Sequence, residues 1–157
     1  MYTQTLFLAS ACCIIGRMSD FRFYIPIQVR YGDLDPQWHA NHTRFLTYIE
    51  QARFDYLQHL GLFDGVSFLD LRLIIADVHI AFKAPIKLGQ KIRVGTRTAK
   101  IGTKSITFEY RIEDESDGAV MAECEVVAVA YDYRTHQTVP FPEDWRKKIS
   151  EFEGTAF

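Results

Sequence analysis

Residues 43–60 carry the pattern that most restricts how this chain can fold. Phe45, Tyr48, Ile49, Ala52 and Tyr56 fall at i, i+3, i+4, i+7 and i+11, which puts them on one face of an α-helix. Leu46, Phe54, Leu57 and Leu60 widen that stripe beyond half the circumference. A helix this apolar cannot face water and must be enclosed by the rest of the protein. Asn41 stands where a side chain can cap its start, and Gly61 where it should end.

The segments around it have a period of two. Residues 21–31 set Phe23, Ile25, Ile27, Val29 and Tyr31 against Arg22, Tyr24, Gln28 and Arg30, which predicts a half-buried strand. Pro26 lies on its outward side, as in an edge strand or a bulge. Four more strands are predicted at 74–83, 91–101, 105–114 and 119–133. In two of them Ile92, Val94, Thr96 and Thr98, then Ile106, Phe108, Tyr110 and Ile112, mark the inner face. Turn residues separate these strands: Pro85 and Gly89, Gly102-Thr103, and Ser116-Asp117-Gly118. Such short connections predict an antiparallel meander. Pro142-Glu143-Asp144 opens a short C-terminal helix. The expected fold is α+β, an antiparallel sheet wrapped around one long central helix. The sheet's outer face and edges then need cover, which predicts self-association as a homodimer or homotetramer.

The length, 157 residues, allows one such domain. Hydrophobic residues at 48% and charged residues at 24% exclude a disordered chain. With 18 Lys+Arg against 20 Asp+Glu there is no basic field for a phosphate backbone, so no nucleic-acid partner is expected. Cys12, Cys13 and Cys124 form neither a disulfide framework nor a zinc pattern, which points to a reducing, cytoplasmic setting. Cys124 reads as a packed thiol within a strand. Residues 1–17 differ from the rest: apolar, and uncharged before Arg17. The order is the reverse of a signal peptide, and the apolar run at 6–15 is about half a membrane span. The segment is read as a leader outside the fold, with the domain at 18–157 and no membrane partner.

Polar groups concentrate between the first strand and the helix, in Tyr31-Gly32-Asp33-Leu34-Asp35-Pro36-Gln37-Trp38-His39-Ala40-Asn41-His42. The free N–H groups of a helix's first turn can hold a developing oxyanion, and the dipole there favours negative charge. An aspartate beside them is a ready base or nucleophile. Asp33-x-Asp35-Pro36 also suits a plain Asx turn, and both readings stand at this point. The acid and histidine spacings match no standard zinc pattern, so no metal is expected. No Gly-x-Ser-x-Gly elbow, dinucleotide loop or P-loop is present.

The run from Val29 to His42, continued by Tyr48-Ile49-Glu50-Gln51-Ala52-Arg53, resembles the signature of acyl-CoA thioesterases of the 4-hydroxybenzoyl-CoA thioesterase type, which have the hotdog fold. The resemblance covers about residues 21–140. It implies hydrolysis of an acyl-CoA, with the catalytic carboxylate at Asp35 acting as nucleophile or general base. The N–H that polarises the thioester carbonyl would lie near His42. Asn41 matches the family's frequent Asn, Glu50 matches its helical acid, and His39 joins the site without an assigned role. Trp38 departs from the small residue usual there. Coenzyme A enters only as part of the substrate, with no separate cofactor required. Its phosphates would meet Lys83 and the turn Gly102-Thr103-Lys104-Ser105. The alternatives are a non-hydrolytic acyl-thioester binder on the same fold and a small-molecule binding domain without catalysis.

Overall fold

In the computed structural model, which describes residues 21–157, α1 (His42–His59) forms as the apolar spacing requires. The leader expected at 1–17 and the start expected at Met18 lie outside the described residues. Asn41 caps α1, its side chain accepting the Thr43 N–H, and Gly61 follows the helix with φ +61°. Phe45, Tyr48, Ile49, Ala52 and Tyr56 are all buried, and together they are the face predicted from their spacing. Enclosure is not complete within one chain, because Leu46 keeps 41% of its surface exposed.

The strands are β1 (Phe23–Gln28), β2 (Leu73–Phe82), β3 (Lys91–Ile101), β4 (Ser105–Asp114), β5 (Val120–Asp132) and the short β6 (Gln137–Thr138). They form one antiparallel sheet in the order β1-β3-β4-β5-β2, with β6 on the end of β5. The inner face meets α1 through Ile92 and Val94 of β3, Ile106, Phe108 and Ile112 of β4, and Val126 and Ala128 of β5.

Three features differ from the sequence expectation. β1 stops at Gln28, because Tyr31–Asp33 turn as a single 3-10 helix and leave Tyr31 exposed. β2, β3, β4 and β5 are not a simple meander: β2 pairs with β5, so residues 83–90 carry the chain to the far side of the sheet, where β3 pairs with β1. β6 was too short for its alternation to show. The edge position of β1 does accommodate Pro26, opposite Arg93.

α2 (Glu143–Glu153) closes the sheet end nearest the C-terminus of α1. It buries Trp145 and Ile149, and Phe152 packs edge-on against Tyr56 and His59. Glu153 accepts both the Tyr56 hydroxyl at 2.6 Å and the Thr98 backbone N–H at 2.9 Å, next to the register shift of β3. On the outer face, Glu113 breaks the alternation: it points outward yet is buried, covered by Arg93, Arg111 and Tyr24. Gly95 lets that cover form, since a Cβ there would sit 2.8 Å from the Tyr24 ring and 2.9 Å from the Phe21 ring.

Candidate functional site

The two aspartates of the polar cluster occupy opposite environments. Asp33 is buried, 1% exposed, and its carboxylate is held by three residues, Arg30 on its own turn and Arg44 and Tyr48 on α1. Oδ2 accepts the Arg30 backbone N–H at 2.9 Å, the Arg30 Nε–H at 3.3 Å and the Tyr48 hydroxyl of α1 at 3.0 Å. Oδ1 accepts Arg30 Nη2–H at 3.0 Å, and Arg44 Nε lies 3.7 Å away. Burial alone raises the Asp33 pKa, but the Arg30 and Tyr48 hydrogen bonds outweigh it and hold the carboxyl below the usual carboxylate range. The same contact, together with burial, pushes the Tyr48 hydroxyl up. The Asp33 carbonyl also accepts the Asn41 N–H at 2.8 Å, tying the turn to the start of α1.

Asp35 is half-buried on a small hairpin. Leu34 bridges Ala40, the Asp35 N–H donates to the His39 carbonyl at 2.9 Å, and the Trp38 N–H donates back to the Asp35 carbonyl at 3.0 Å. Asp35 Oδ1 accepts the Gln37 N–H at 2.8 Å, an Asx turn, and Oδ2 has no partner among the described residues. The Asx-turn reading of Asp33-x-Asp35 thus holds at Asp35, which shapes its turn while Oδ2 keeps no partner among the described residues.

The hairpin docks on the chain leaving β2, through Ala40 N–H to Ile86 carbonyl at 2.7 Å and a bridge between His39 and Lys87. At the start of α1, Asn41 Oδ1 accepts the Thr43 N–H at 3.0 Å and the Thr43 hydroxyl at 2.8 Å. The Asn41 carbonyl accepts the Arg44 N–H at 2.8 Å. The His42 N–H, in the first turn of α1, has no acceptor among the described residues.

Asp35, His39, Asn41 and His42 thus come together at one end of the sheet. Glu50 does not join them within the chain. It lies eight residues along α1, about 12 Å at 1.5 Å per residue, largely exposed and paired with Arg53 at 3.4 Å.

The residues expected at the coenzyme A phosphates fall into two places. Lys83 donates its backbone N–H to Met121 and pairs with Glu123, at the hairpin's end of the sheet. Lys104 sits by Ala130, whose N–H donates to the Lys104 carbonyl, and Lys104 Nζ meets Thr138 at 3.4 Å. Met121 and Ala130 are nine residues apart on β5, roughly 30 Å at about 3.3 Å per residue. Gly102 and Thr103 line a groove of about 450 Å³ beside Phe141, Glu143 and Arg146, and Ser105 closes the turn by accepting the Gly102 N–H.

Sequence reasoning did not single out Arg30, Arg44 and Tyr48 as partners of Asp33. Arg30 and Asp33 have helical-turn spacing that could have suggested a pair. Tyr48 is fifteen residues away on the buried helix face, and no local pattern marks it.

A family model described as "Thioesterase-like superfamily" matches residues 29–149. The chain is 24% identical to the long-chain acyl-CoA thioesterase FadM of Escherichia coli over 125 residues, 80% of this chain and 95% of that protein. It is 26% identical to the acyl-CoA thioesterase YbgC of Haemophilus influenzae, over 81% of this chain and 93% of that one. Among solved structures, a Thermus thermophilus thioesterase complexed with coenzyme A and Zn superposes with a TM-score of 0.72 at 30% identity, covering 83% of this chain and 94% of that one.

Proposed function

The chain belongs to the thioesterase-like superfamily, and from that premise we propose that it hydrolyses acyl-CoA thioesters to the free acid and coenzyme A. One observation carries the reading further than the rest. The Asp35 carboxylate, with Oδ1 engaged by Gln37 and Oδ2 free, stands on a hairpin clamped to the start of α1. The acyl-CoA names of FadM and YbgC, and the coenzyme A complex of the Thermus relative, support the substrate class.

Either Asp35 Oδ2 attacks the thioester carbonyl carbon, or Asp35 takes a proton from a water that attacks it. The carbonyl oxygen gains negative charge, which the His42 N–H and the N-terminal end of α1 stabilise. Collapse breaks the C–S bond, and coenzyme A leaves as a thiolate that takes a proton. In the direct route one water then opens the mixed anhydride, releasing the acid and regenerating Asp35. Asn41 holds the helix start in place, and His39 flanks the carboxylate.

Asp35 and Lys104 lie at opposite ends of one chain's sheet, so a single coenzyme A meeting both would span two copies. A homo-oligomer accounts for that separation. β2 is an edge strand with Ile74, Ile75, Val78 and Phe82 each 39–49% exposed, a surface that a second copy would cover.

The test is thiol release by Asp35→Asn. The substitution keeps the side-chain shape and one acceptor for Gln37 but removes the charge. It should lower kcat by about 100-fold or more, the scale of a lost general base, with KM and melting temperature little changed. Turnover near the wild-type rate in a folded Asp35→Asn protein would overturn the mechanism.

A further inference from the structure

Two large apolar side chains stand exposed beside the hairpin: Trp38 at 72% and Leu88 at 50%. Each belongs to a tight turn. Trp38 ends the turn that begins at Asp35, and it adopts φ +63°, a left-handed conformation that is rare for a bulky residue. Leu88 is the second residue of the Lys87–Gln90 turn, closed by the Gln90 N–H on the Lys87 carbonyl, with Gly89 at φ +80°. The antiparallel bridge between His39 and Lys87 sets these turns in register, and continuing it one residue brings Trp38 opposite Leu88. Trp38 and Leu88 thus hold facing positions as an exposed apolar pair, which we call the Trp38–Leu88 prong.

Three cations stand at the base of the same hairpin and on its docking turn. Lys87 adjoins Leu88 in the same turn, and its side chain has no ion-pair partner among the described residues. At the base of the hairpin Arg30 and Arg44 share one buried carboxylate, Asp33, and keep 65% and 41% of their side-chain surfaces in solvent. The acids placed around these cations already hold other partners: Asp33 the two arginines, Asp35 the Gln37 N–H, and Asp114, beside the Lys87 turn, the Gln90 amide at 2.6 Å and Ser116. A tryptophan and a leucine exposed on turns, with Lys and Arg near them, is the chemistry that settles at the headgroup layer of an anionic bilayer. There the indole and aliphatic groups enter the acyl boundary and the cations meet lipid phosphates.

We propose that the Trp38–Leu88 prong, with Lys87, Arg30 and Arg44, docks this protein reversibly on anionic lipid surfaces. The expectation of no membrane partner rested on the lack of a spanning segment, and no helix among the described residues is long and apolar enough to cross a membrane. Docking by exposed turns needs none. The inference goes beyond thioester hydrolysis and does not depend on the role of Asp35.

Two tryptophans make the test direct. Trp145 is buried at 3% exposure, so only Trp38 should respond to a change of surroundings. Full-length protein is mixed with vesicles of phosphatidylcholine and phosphatidylglycerol in equal parts. Emission should shift to shorter wavelength and be quenched by lipids brominated on their acyl chains. Phosphatidylcholine alone should give a weaker response, and added salt should reduce the anionic one. Trp38→Asn removes the indole while Asn tolerates the left-handed backbone, and Leu88→Ser removes the second apolar side chain. Each should lower the vesicle-bound fraction in co-sedimentation by about tenfold, with unchanged melting curves. Four results would overturn the proposal. The first is emission and sedimentation both unaltered by vesicles, and the second is both variants binding as the wild type does. The third is Trp38 emitting as a buried indole in the free protein, which would assign the prong to a contact between copies. The fourth is the full shift with free coenzyme A and no vesicles, which would assign Trp38 to the substrate.

Discussion

Replacing Asp33 by Asn tests how the site is held together. The amide can keep one oxygen where Oδ2 accepts the Arg30 backbone, Arg30 Nε–H and Tyr48 hydroxyl. Its NH₂ then points at Arg30 Nη2, 3.0 Å away, and at Arg44 Nε at 3.7 Å, donor against donor beside two cations. Charge-assisted hydrogen bonds of this kind contribute about 1.5–3 kcal/mol, and the exposure of both arginines argues for the lower part of that range. A loss of about 2 kcal/mol is expected at neutral pH. For a domain of this size that lowers Tm by roughly 5–8 °C.

The pH dependence carries a sign. The Asp33 pKa is depressed in the folded state, so its stabilisation is complete above the unfolded value, about 3.9. It is lost as pH falls through the folded value. The gap between wild type and Asp33→Asn should therefore be widest near neutrality and narrow below about pH 4. Urea unfolding of both proteins across that range is the assay, with thiol release measured well below the variant's Tm. Turnover should stay within about threefold of wild type, because Asp33 touches no reacting atom. Equal midpoints at pH 7, or a gap that widens in acid, would refute this account of Asp33.

Lys104→Gln should raise KM for acyl-CoA several-fold with kcat retained, and an unchanged KM would remove Lys104 from the phosphate contacts. Gly95→Val should destabilise by about 2 kcal/mol or more, read in melting curves, because its side chain would displace the Tyr24 and Phe21 rings. Burial pushes the Cys124 thiol up to about 11, so alkylation at pH 7 should be slow in the native protein and fast in urea. Sedimentation at micromolar concentration should show a dimer or tetramer, and a fully active monomer would contradict the covering of β2.

Local signals were enough to make most of the architecture legible. The face Phe45-Tyr48-Ile49-Ala52-Tyr56, the Asn41 cap, and the bounds and inner faces of β3 and β4 all follow from spacings of two to four residues. Those spacings are fixed by backbone geometry wherever the chain folds. The polar cluster before α1 was likewise visible, as were Asp35 and its neighbours His39, Asn41 and His42, because all of them sit within one short stretch.

Tertiary structure decided whatever depends on partners far apart in the chain. Pairing of β2 with β5 joins residues about fifty positions apart, and a period of two says which face a strand buries but not which strand lies beside it. Glu113 belonged by alternation to the solvent face and is buried because Arg93, Arg111 and Tyr24 converge on it from three strands. Asp33 and Asp35 look alike in sequence. Their burial and partners separate them: Tyr48 and two arginines immobilise one carboxylate, while a tight turn leaves an oxygen of the other free. The expected phosphate ligands Lys83 and Lys104 parted for the same reason, since strand order sent them to opposite ends of β5. Hydrogen-bond ladders and buried charges are set by contacts across the sheet, and those contacts exist only once the chain has folded back on itself.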